Sequence, residues 1–395
     1  MSGILTNIYD NVSLALYLHS EAMARLQEQA STGSRINRAS DDTTAAYKVL
    51  GLDSQKRLLA DYIDNLSEVV QTLEITSTVI QDMVSAFTEA KTRLAQITTG
   101  IFGEQGRLRL AEGINDILEQ IVSLANTKHA NQYVFGGGST MSAPYLVQRT
   151  NGEIISVTYQ GSAENRNIEV APGLRSSAFY VGDNIFRSSN RKTPVFWGDT
   201  GAKAGTGTSS VTGNIWLTVT HDGSNYKLSI DDGASSVTVP AGGDTNQAVT
   251  DSRSGRVLYV DSTQINSTGV EMVRVPGTHD IFSTLMSIRE VLKNERGLSD
   301  AKLQELLSNA LSSLDEMSSL LVQSEVSVGS RIGFLENLKD TIKNLKYSTE
   351  DEVTRLQEAD IAQIAIDLSR REILYQMSLS VAGKLMSMSL LDFIK

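Results

Sequence analysis

Apolar residues recur at helical spacing in two long stretches of the chain. From Leu59 to Leu94 they follow steps of four and three residues, and the same spacing returns between Leu303 and Leu345. Such heptad steps place the apolar side chains on one face of a helix. At a rise of about 1.5 Å per residue, a helix over 299–345 is about 70 Å long and has little interior of its own. The two stretches are therefore predicted to pack against each other as antiparallel helical arms.

The two chain ends carry the same spacing with more polar and small residues among the apolar ones. Isolated helices are marginal in water, and the tail 381–394 contains only two charged residues, so it would invite association if exposed. We predict that the ends pair with each other, and with copies of the chain, in an assembly. The candidate contact residues are Leu5, Ile8, Val12, Leu26, Val381, Leu385, Met388 and Leu391.

A polar stretch, 30–46, separates the N-terminal helical pattern from the long one that follows. Gly33 is a typical residue for the end of a helix, and Ser40 is predicted to cap the next one. Asp41 and Asp42 would then lie in the first turn of that helix, where negative charge suits the helix dipole. The stretch is therefore predicted to stop one helix and start another.

The middle of the chain differs from both arms in composition. All five prolines lie between Pro144 and Pro276, and 19 of the 30 glycines lie between 136 and 280. Alternating apolar residues predict strands at 153–159, 214–220 and 226–230. In the first of these, Ile155, Val157 and Tyr159 are expected on one face.

Two glycine-rich runs accompany these strands. The run 198–210 is predicted to be a surface loop, and the run 135–139 is interpreted as a hinge into the insert. The fold is therefore predicted to be α+β, with long antiparallel helical coiled-coil arms from both chain ends and an inserted mainly-β domain.

Charge and composition argue against several classes of partner and active site. The net charge of −11 argues against nucleic acid as the main partner, and no apolar run is long enough to cross a membrane. The chain has no cysteine, its four histidines are scattered, and it lacks the phosphate-loop and serine-nucleophile motifs. We therefore predict no catalytic residue, no cofactor and no metal site. The N-terminus also lacks the basic region and apolar core of a secretory signal.

The insert leaves two further interpretations open. Trp197, Trp216 and Tyr226 are predicted core residues, but they would also suit a stacking platform for carbohydrate. An enzymatic insert would need a metal or nucleophile cluster between 144 and 276, where His221 is the single histidine.

Several motifs resemble the flagellin superfamily. The sequence STGSRINRASDD (31–42) is similar to the Thr-Gly-x-Arg-Ile-Asn…Ser-Asp-Asp element of that family, and SEVSVGSRIGFLE (324–336) is similar to the motif of its returning helix. The ending SMSLLDFI (387–394) resembles the common ending of the superfamily. Within the superfamily, LANTKHANQYVFGGG (124–138) resembles the proteins of the hook–filament junction more than the filament flagellins.

The resemblance implies a layered arrangement of the chain. Segments 1–38 and 348–395 would form an inner coiled-coil layer, with 39–137 and 280–347 as the two halves of a surrounding helical domain. Segment 138–279 would be the outer β-rich domain. The polar stretch 30–46, called the polar break below, would connect the two helical layers. The connecting residues would be Gly33, Arg35, Asn37, Ser40, Asp41 and Asp42.

The resemblance also implies a function. The chain is expected to be a structural, non-enzymatic subunit of the bacterial flagellum that forms the junction ring between hook and filament and is needed for filament assembly. Its expected partners are copies of itself, a hook-associated junction protein on the hook side, flagellin on the filament side and a flagellar export chaperone. It would be extracellular, exported by the flagellar type III system without a cleaved signal. The alternatives are a filament flagellin, or an outer domain with a carbohydrate-binding, host-binding or enzymatic role.

Overall fold

The computed structural model describes residues 2–99, 103–188, 190–278 and 280–393, with side chains described for 10–96, 103–188, 190–278 and 280–384. The chain divides into two compact units, one formed by residues 1–64 with 338–395 and the other by residues 65–337. Long helices from both chain ends enclose a region of antiparallel strands, which confirms the predicted α+β fold class.

The described residues form seven helices and fourteen strands. The helices are α1 Ser2–Thr32, α2 Thr43–Thr99, α3 Glu104–Ala125, α4 Gly182–Phe186, α5 Ile281–Lys293, α6 Asp300–Gln357 and α7 Ile361–Phe393. The strands are β1 Lys128–His129, β2 Gln132–Tyr133, β3 Tyr145–Thr150, β4 Glu153–Tyr159, β5 Arg166–Ala171, β6 Leu174–Phe179, β7 Val195–Trp197, β8 Lys203–Ala204, β9 Gly213–His221, β10 Tyr226–Ser229, β11 Val237–Thr238, β12 Gln247–Thr250, β13 Val257–Asp261 and β14 Gly269–Val275.

In the unit formed by the chain ends, α1 lies beside α7. Arg371 Nη1 is 3.3 Å from His19 Nδ1, and the backbone N–H of Arg35 donates to Gln357 O at 2.7 Å, so the two helices run antiparallel. Among the described side chains of this unit, the buried apolar ones come from the first part of α2, the end of α6, the break between α6 and α7, and the first turn of α7. They are Ala45, Val49, Leu59, Tyr62, Ile342, Val353, Ala359 and Ile364.

In the unit 65–337, α2 and α6 run antiparallel as predicted. Lys91 Nζ lies 2.5 Å from Asp315 Oδ1, and Gln81 Nε2 donates to Glu325 Oε1 at 2.6 Å. The buried face of α2 is wider than the heptad positions because α3 packs on it as well: a Cβ at Gly113 of α3 would lie 2.4 Å from the Arg93 guanidinium. The positions that the heptad spacing missed include Val69, Val79, Met83, Ala86 and Ala90.

Two hairpins, β3–β4 and β5–β6, follow α3. Ile155 is predicted to share a face of β4 with Val157 and Tyr159. In the structure Ile154 is buried instead, and Ile155 is 52% exposed. The ladder pairs Gln148 with Ser156 and then Arg149 with Ile154, so Ile155 is an extra residue. This bulge shifts the alternation by one residue, which makes the predicted face of Ile155 wrong.

The glycine run 135–139 forms a packed turn beside these hairpins. A Cβ at Gly136 would lie 2.4 Å from Ser139 O, and one at Gly137 would lie 2.7 Å from Ser162 O. Close packing, and not freedom to bend, explains why glycines occupy these positions.

The rest of the insert consists of two antiparallel sheets. Their strand orders are β11-β10-β9-β14-β7 and β12-β13-β8, and side chains of both sheets share one core, such as Leu217 and Val273 from the first sheet with Leu258 and Val260 from the second. The run 198–210 is mostly irregular, as the predicted loop requires, but it is more ordered than predicted, since it contains the two-residue strand β8, which pairs with β13.

Two contacts explain why this glycine-rich run has a defined structure. The N–H of Gly205 donates to Tyr259 O at 3.0 Å, and a Cβ at Gly207 would lie 2.5 Å from the Tyr259 ring. The glycines therefore let the backbone pass directly over a partner strand that lies far away in sequence.

A buried carboxylate organises the turns at one end of these sheets. Asp231 is 5% exposed and accepts hydrogen bonds from the N–H and hydroxyl of Ser235 at 2.8 and 2.7 Å. It also accepts bonds from the N–H and hydroxyl of Ser252 at 3.1 and 2.6 Å. Burial alone would raise the pKa of Asp231, but these hydrogen bonds stabilise the anion and lower the pKa below its usual range.

The substitution Asp231→Asn is expected to lower the free energy of unfolding by about 1.5–3 kcal/mol, because the serine donors lose a charged acceptor. Since the folded-state pKa of Asp231 lies below the unfolded value, its contribution is present above about pH 4 and is lost as the pH falls below that. Urea unfolding of the full chain at pH 7 and pH 3 measures both effects. The exposed Asp199, changed to Asn, is the control, and equal stabilities of the two variants at pH 7 would contradict the prediction.

Candidate assembly site in the terminal helices

The polar break begins where α1 ends. Gly33 has a φ of +67°, the left-handed region that favours glycine, and its N–H donates to Gln29 O at 2.9 Å. The chain then runs beside the turn between α6 and α7: Arg35 N–H donates to Gln357 O, and Ala359 N–H donates to Gly33 O at 3.1 Å. The break between α1 and α2 is thus bonded to the break between α6 and α7.

Two aspartates close the break, in positions that differ from the prediction. Helix α2 begins at Thr43, and Asp42 Oδ1 accepts from Ala45 N–H at 2.9 Å, so Asp42 caps the helix. Ser40 lies in the preceding turn. Its predicted capping role is wrong, as is the placing of Asp41 and Asp42 inside the first helical turn.

Hydrogen bonds from backbone N–H groups lower the pKa of both carboxylates. Asp41 Oδ2 accepts from the N–H groups of Arg38 and Asn37 at 2.8 and 3.0 Å, and these bonds lower the pKa of Asp41. The bond from Ala45 N–H, together with the Arg35 guanidinium 3.3 Å away, lowers the pKa of Asp42. Five of the six predicted connector residues, Gly33, Arg35, Asn37, Asp41 and Asp42, take part in the hydrogen bonds of this segment, whereas Ser40 supplies no cap.

The sequence interpretation missed the second capped break. Asp360 Oδ1 accepts from the N–H groups of Ala362 and Gln363 at 3.0 and 3.1 Å and so caps α7. The signal was present, because an aspartate followed three residues later by glutamine matches the capping-box spacing.

Three of the predicted contact residues of the chain ends have described side chains. Leu26 lines a cleft with Asp367 and Leu374 of α7, and Val12 is half-buried. Val381 is 48% exposed. The remaining candidates lie on α1 and α7, but their side chains are outside the described residues: Leu5, Ile8, Leu385, Met388 and Leu391.

The pair α1–α7 leaves much of its apolar surface in solvent. Among the described side chains of these two helices, Ile364 alone is buried. Met377 is 60% exposed and Tyr17 is 66% exposed. The other exposed large apolar side chains on the two helices are Leu14, Leu18, Ile361, Ile366, Ile373, Leu374, Leu379 and Val381. Two helices alone cannot cover these residues, so the surface is available to a further helix.

The two tryptophans of the insert have less free ring surface for stacking on a carbohydrate than the sequence indicated. Trp216 Nε1 donates to Glu290 Oε2 at 3.1 Å, and the Arg296 guanidinium lies 4.6 Å from the centre of the Trp216 ring. Arg274 lies over Trp197 in the same way, at 5.9 Å. One face of each tryptophan is therefore covered by a cation of the same chain.

No group of three or more histidine, aspartate or glutamate side chains in the part of the chain that the structure describes is arranged to hold a metal ion. None of the helices within the same ranges combines the length and apolar character needed to span a membrane.

Comparison with known proteins adds sequence relatives. A sequence model of the family described as bacterial flagellin N-terminal helical region matches residues 4–140. Flagellar hook-associated protein 3 of Escherichia coli (strain K12) is 27% identical over 162 residues, which cover 41% of this chain and 49% of that protein. The chain thus spans about half the length of the curated relatives it matches.

Two solved structures share the fold. Flagellar hook associated protein-3 from Legionella pneumophila has a TM-score of 0.53 at 17% identity, covering 77% of this chain and 98% of its own. The flagellar junction protein FlgL from the same species has a TM-score of 0.50 at 17% identity, covering 78% and 100%. The predicted resemblance of this chain to the flagellin superfamily is therefore confirmed, in sequence through residues 4–140 and in fold through long helices that enclose inserted strands.

Proposed function

We propose that this chain is a structural, non-enzymatic subunit of the bacterial flagellum that forms the junction ring between hook and filament. The observation that carries the proposal is the exposed apolar surface of α1 and α7. Leu66 and Leu73 of α2 are fully buried, whereas Ile373 and Met377 of α7 are 58% and 60% exposed. A helix pair with this much apolar surface in solvent needs further helices, and copies of the same chain supply them.

The hook–filament location rests on two supports. The E. coli relative is named a flagellar hook-associated protein and one solved relative is named a flagellar junction protein. The run 124–138 also resembles the junction proteins. On this proposal the partners are copies of the chain, a hook-associated junction protein, flagellin and an export chaperone. The protein would be extracellular and exported by the flagellar type III system.

The arrangement in layers is part of the proposal. Segments 1–38 and 348–395 would build the inner coiled-coil layer, 39–137 and 280–347 the helical domain around it, and 138–279 the outer domain. The bonded breaks support this arrangement, because both helices of the terminal pair are interrupted where Gly33 bonds Ala359.

Deletion of the gene, followed by electron microscopy of the hooks, tests the junction role. Bare hooks with flagellin released into the medium are expected, since the filament would have nothing to attach to. Filaments of normal length and anchorage would reject the proposal. A filament flagellin is the second candidate, favoured by the flagellin description of the family that matches residues 4–140. Its deletion would leave little filament protein in the medium.

The double substitution Ile373→Asp with Met377→Asp is expected to prevent incorporation into the flagellum. Both side chains are exposed in the single chain, so the fold should persist while burial of two charges in the assembly becomes costly. Immunoblots of sheared flagella and of culture medium measure incorporation, and circular dichroism measures the fold. Gln376→Asp adds one charge on the same helix and serves as the control. Normal incorporation of the double variant would count against an assembly role for this surface.

The substitution Asp42→Ala is expected to loosen the connector and to reduce incorporation, because Ala45 N–H loses its acceptor. Hydrogen exchange of the amides at 43–49 in the purified chain should become faster. Asp42→Asn keeps an acceptor oxygen and should restore most of the protection. Ser40→Ala is the matched control, and faster exchange in that variant than in Asp42→Ala would show that the cap has been assigned to the wrong residue.

A further inference from the structure

The run 124–138 contains a side chain that takes the place of a neighbouring strand. Helix α3 ends at Ala125, and the side chain of the next residue, Asn126, faces the backbone of Tyr145 at the start of β3. Asn126 Nδ2 donates to Tyr145 O at 2.9 Å, and Asn126 Oδ1 accepts from Tyr145 N–H at 3.0 Å. One side-chain amide therefore makes the two hydrogen bonds that a residue of an adjacent antiparallel strand would make.

The partner strand β4 does not make these bonds, because it lies on the other side of β3. Tyr145 pairs with Tyr159, and the ladder bond beside this pair joins Gln160 N–H to Pro144 O at 2.7 Å. Since bonded and non-bonded pairs alternate along an antiparallel ladder, the N–H and C=O of Tyr145 point away from β4. Tyr145 is 1% exposed. Without Asn126, two buried backbone groups would lose their partners, which is costly.

The ring of Tyr145 contacts the chain where it returns from the insert. The ring centre lies 4.8 Å from that of Phe282 at the start of α5 and 5.9 Å from that of Phe186 in α4. The helix that leads into the insert thus holds the backbone of Tyr145, and the helix that leads out of it packs on the ring. A shift of β3 relative to α3 would break both hydrogen bonds and disturb this aromatic cluster.

We propose that Asn126 is the positioning residue that fixes the hairpin β3–β4, and with it the start of the insert, relative to α3. The inference deepens the proposed function and rests on it, because a ring built from such chains would carry each outer domain in one orientation. The glycine turn 135–139 of the same run supports a rigid connection. A Cβ at Gly136 would lie 2.4 Å from Ser139 O, so this turn is closely packed.

Hydrogen exchange of the purified full chain tests the proposal. In Asn126→Ala both hydrogen bonds to Tyr145 are lost, so the amides at 145–150 are expected to exchange about tenfold faster than in the natural chain at pH 7. The matched control is Glu119→Gln. Glu119 also joins α3 to β3, since Arg149 Nη2 donates to Glu119 Oε2 at 2.6 Å, but this pair is largely exposed. The control should exchange within about twofold of the natural chain.

The substitution Asn126→Asp separates hydrogen bonding from packing, because the two side chains have nearly the same shape. At pH 7 the carboxylate accepts from Tyr145 N–H but repels Tyr145 O, so the amides at 145–150 should exchange faster than in the natural chain. A protonated carboxyl donates to Tyr145 O as the amide does, which raises its pKa in the folded chain above the usual value of about 4. The excess rate over the natural chain at the same pH should therefore shrink as the pH falls from 7 to about 4.5.

Two results would overturn the role of Asn126. One is exchange in Asn126→Ala that is no faster than in the Glu119→Gln control. The other is an excess rate in Asn126→Asp that is the same at both pH values, because a packing defect does not depend on protonation. Circular dichroism checks that each variant is folded, and if one Asn126 variant is not, the other decides alone. The gene deletion tests the junction role separately, and its failure would remove the consequence for a ring while leaving the exchange result intact.

Discussion

The structure depends on one constraint: a long amphipathic helix cannot bury its apolar face alone. Helix α2 spans 57 residues and α6 spans 58, and each is too thin to enclose a core. Their apolar faces are buried where the two helices meet and where α3 adds a third surface. Helix α2 precedes the insert in the sequence and α6 follows it. The chain therefore leaves the helical region after α3 and returns to it at α5, and the β-rich insert lies between these two helices.

The number of neighbours explains the contrast between the two helical regions. Leu94 on α2 is fully buried, while Ile366 and Ile373 on α7 are 63% and 58% exposed, although all three residues are equally apolar. The difference is that α1 and α7 lie beside each other as a pair, and among their described side chains only Ile364 is buried. Apolar burial contributes about 25 cal/mol per Å², so a single copy leaves a large part of this contribution unused. Neighbouring copies would realise it on assembly.

The sequence predicted the elements whose signal is local and periodic. Heptad spacing identified α2 and α6, because periodicity reports directly which face is buried. It failed where hydrogen bonds outside the periodic pattern decide. Ser40 and Asp42 are both suitable caps, and the choice of Asp42 is fixed by where α2 begins beside Arg35. Ile155 turned outward because a bulge inserts one residue into β4.

The run 198–210 shows why composition alone misleads. Its glycines indicated a loop that would not order, but Gly205 and Gly207 lie against Tyr259, about 50 residues away in sequence. In the candidate site, too, local features could be predicted and contacts between distant residues could not. The aspartate cap at Asp360 had a readable motif, whereas the hydrogen bonds between 33–35 and 357–359 had none, because no local pattern specifies a partner more than 300 residues away.

Those hydrogen bonds decide what the two breaks can do. Bonding Gly33 to Ala359 and Arg35 to Gln357 sets both breaks side by side, so α1 and α7 remain paired from these breaks onward. In the proposed assembly, a neighbouring copy would therefore meet the exposed apolar residues of both helices together.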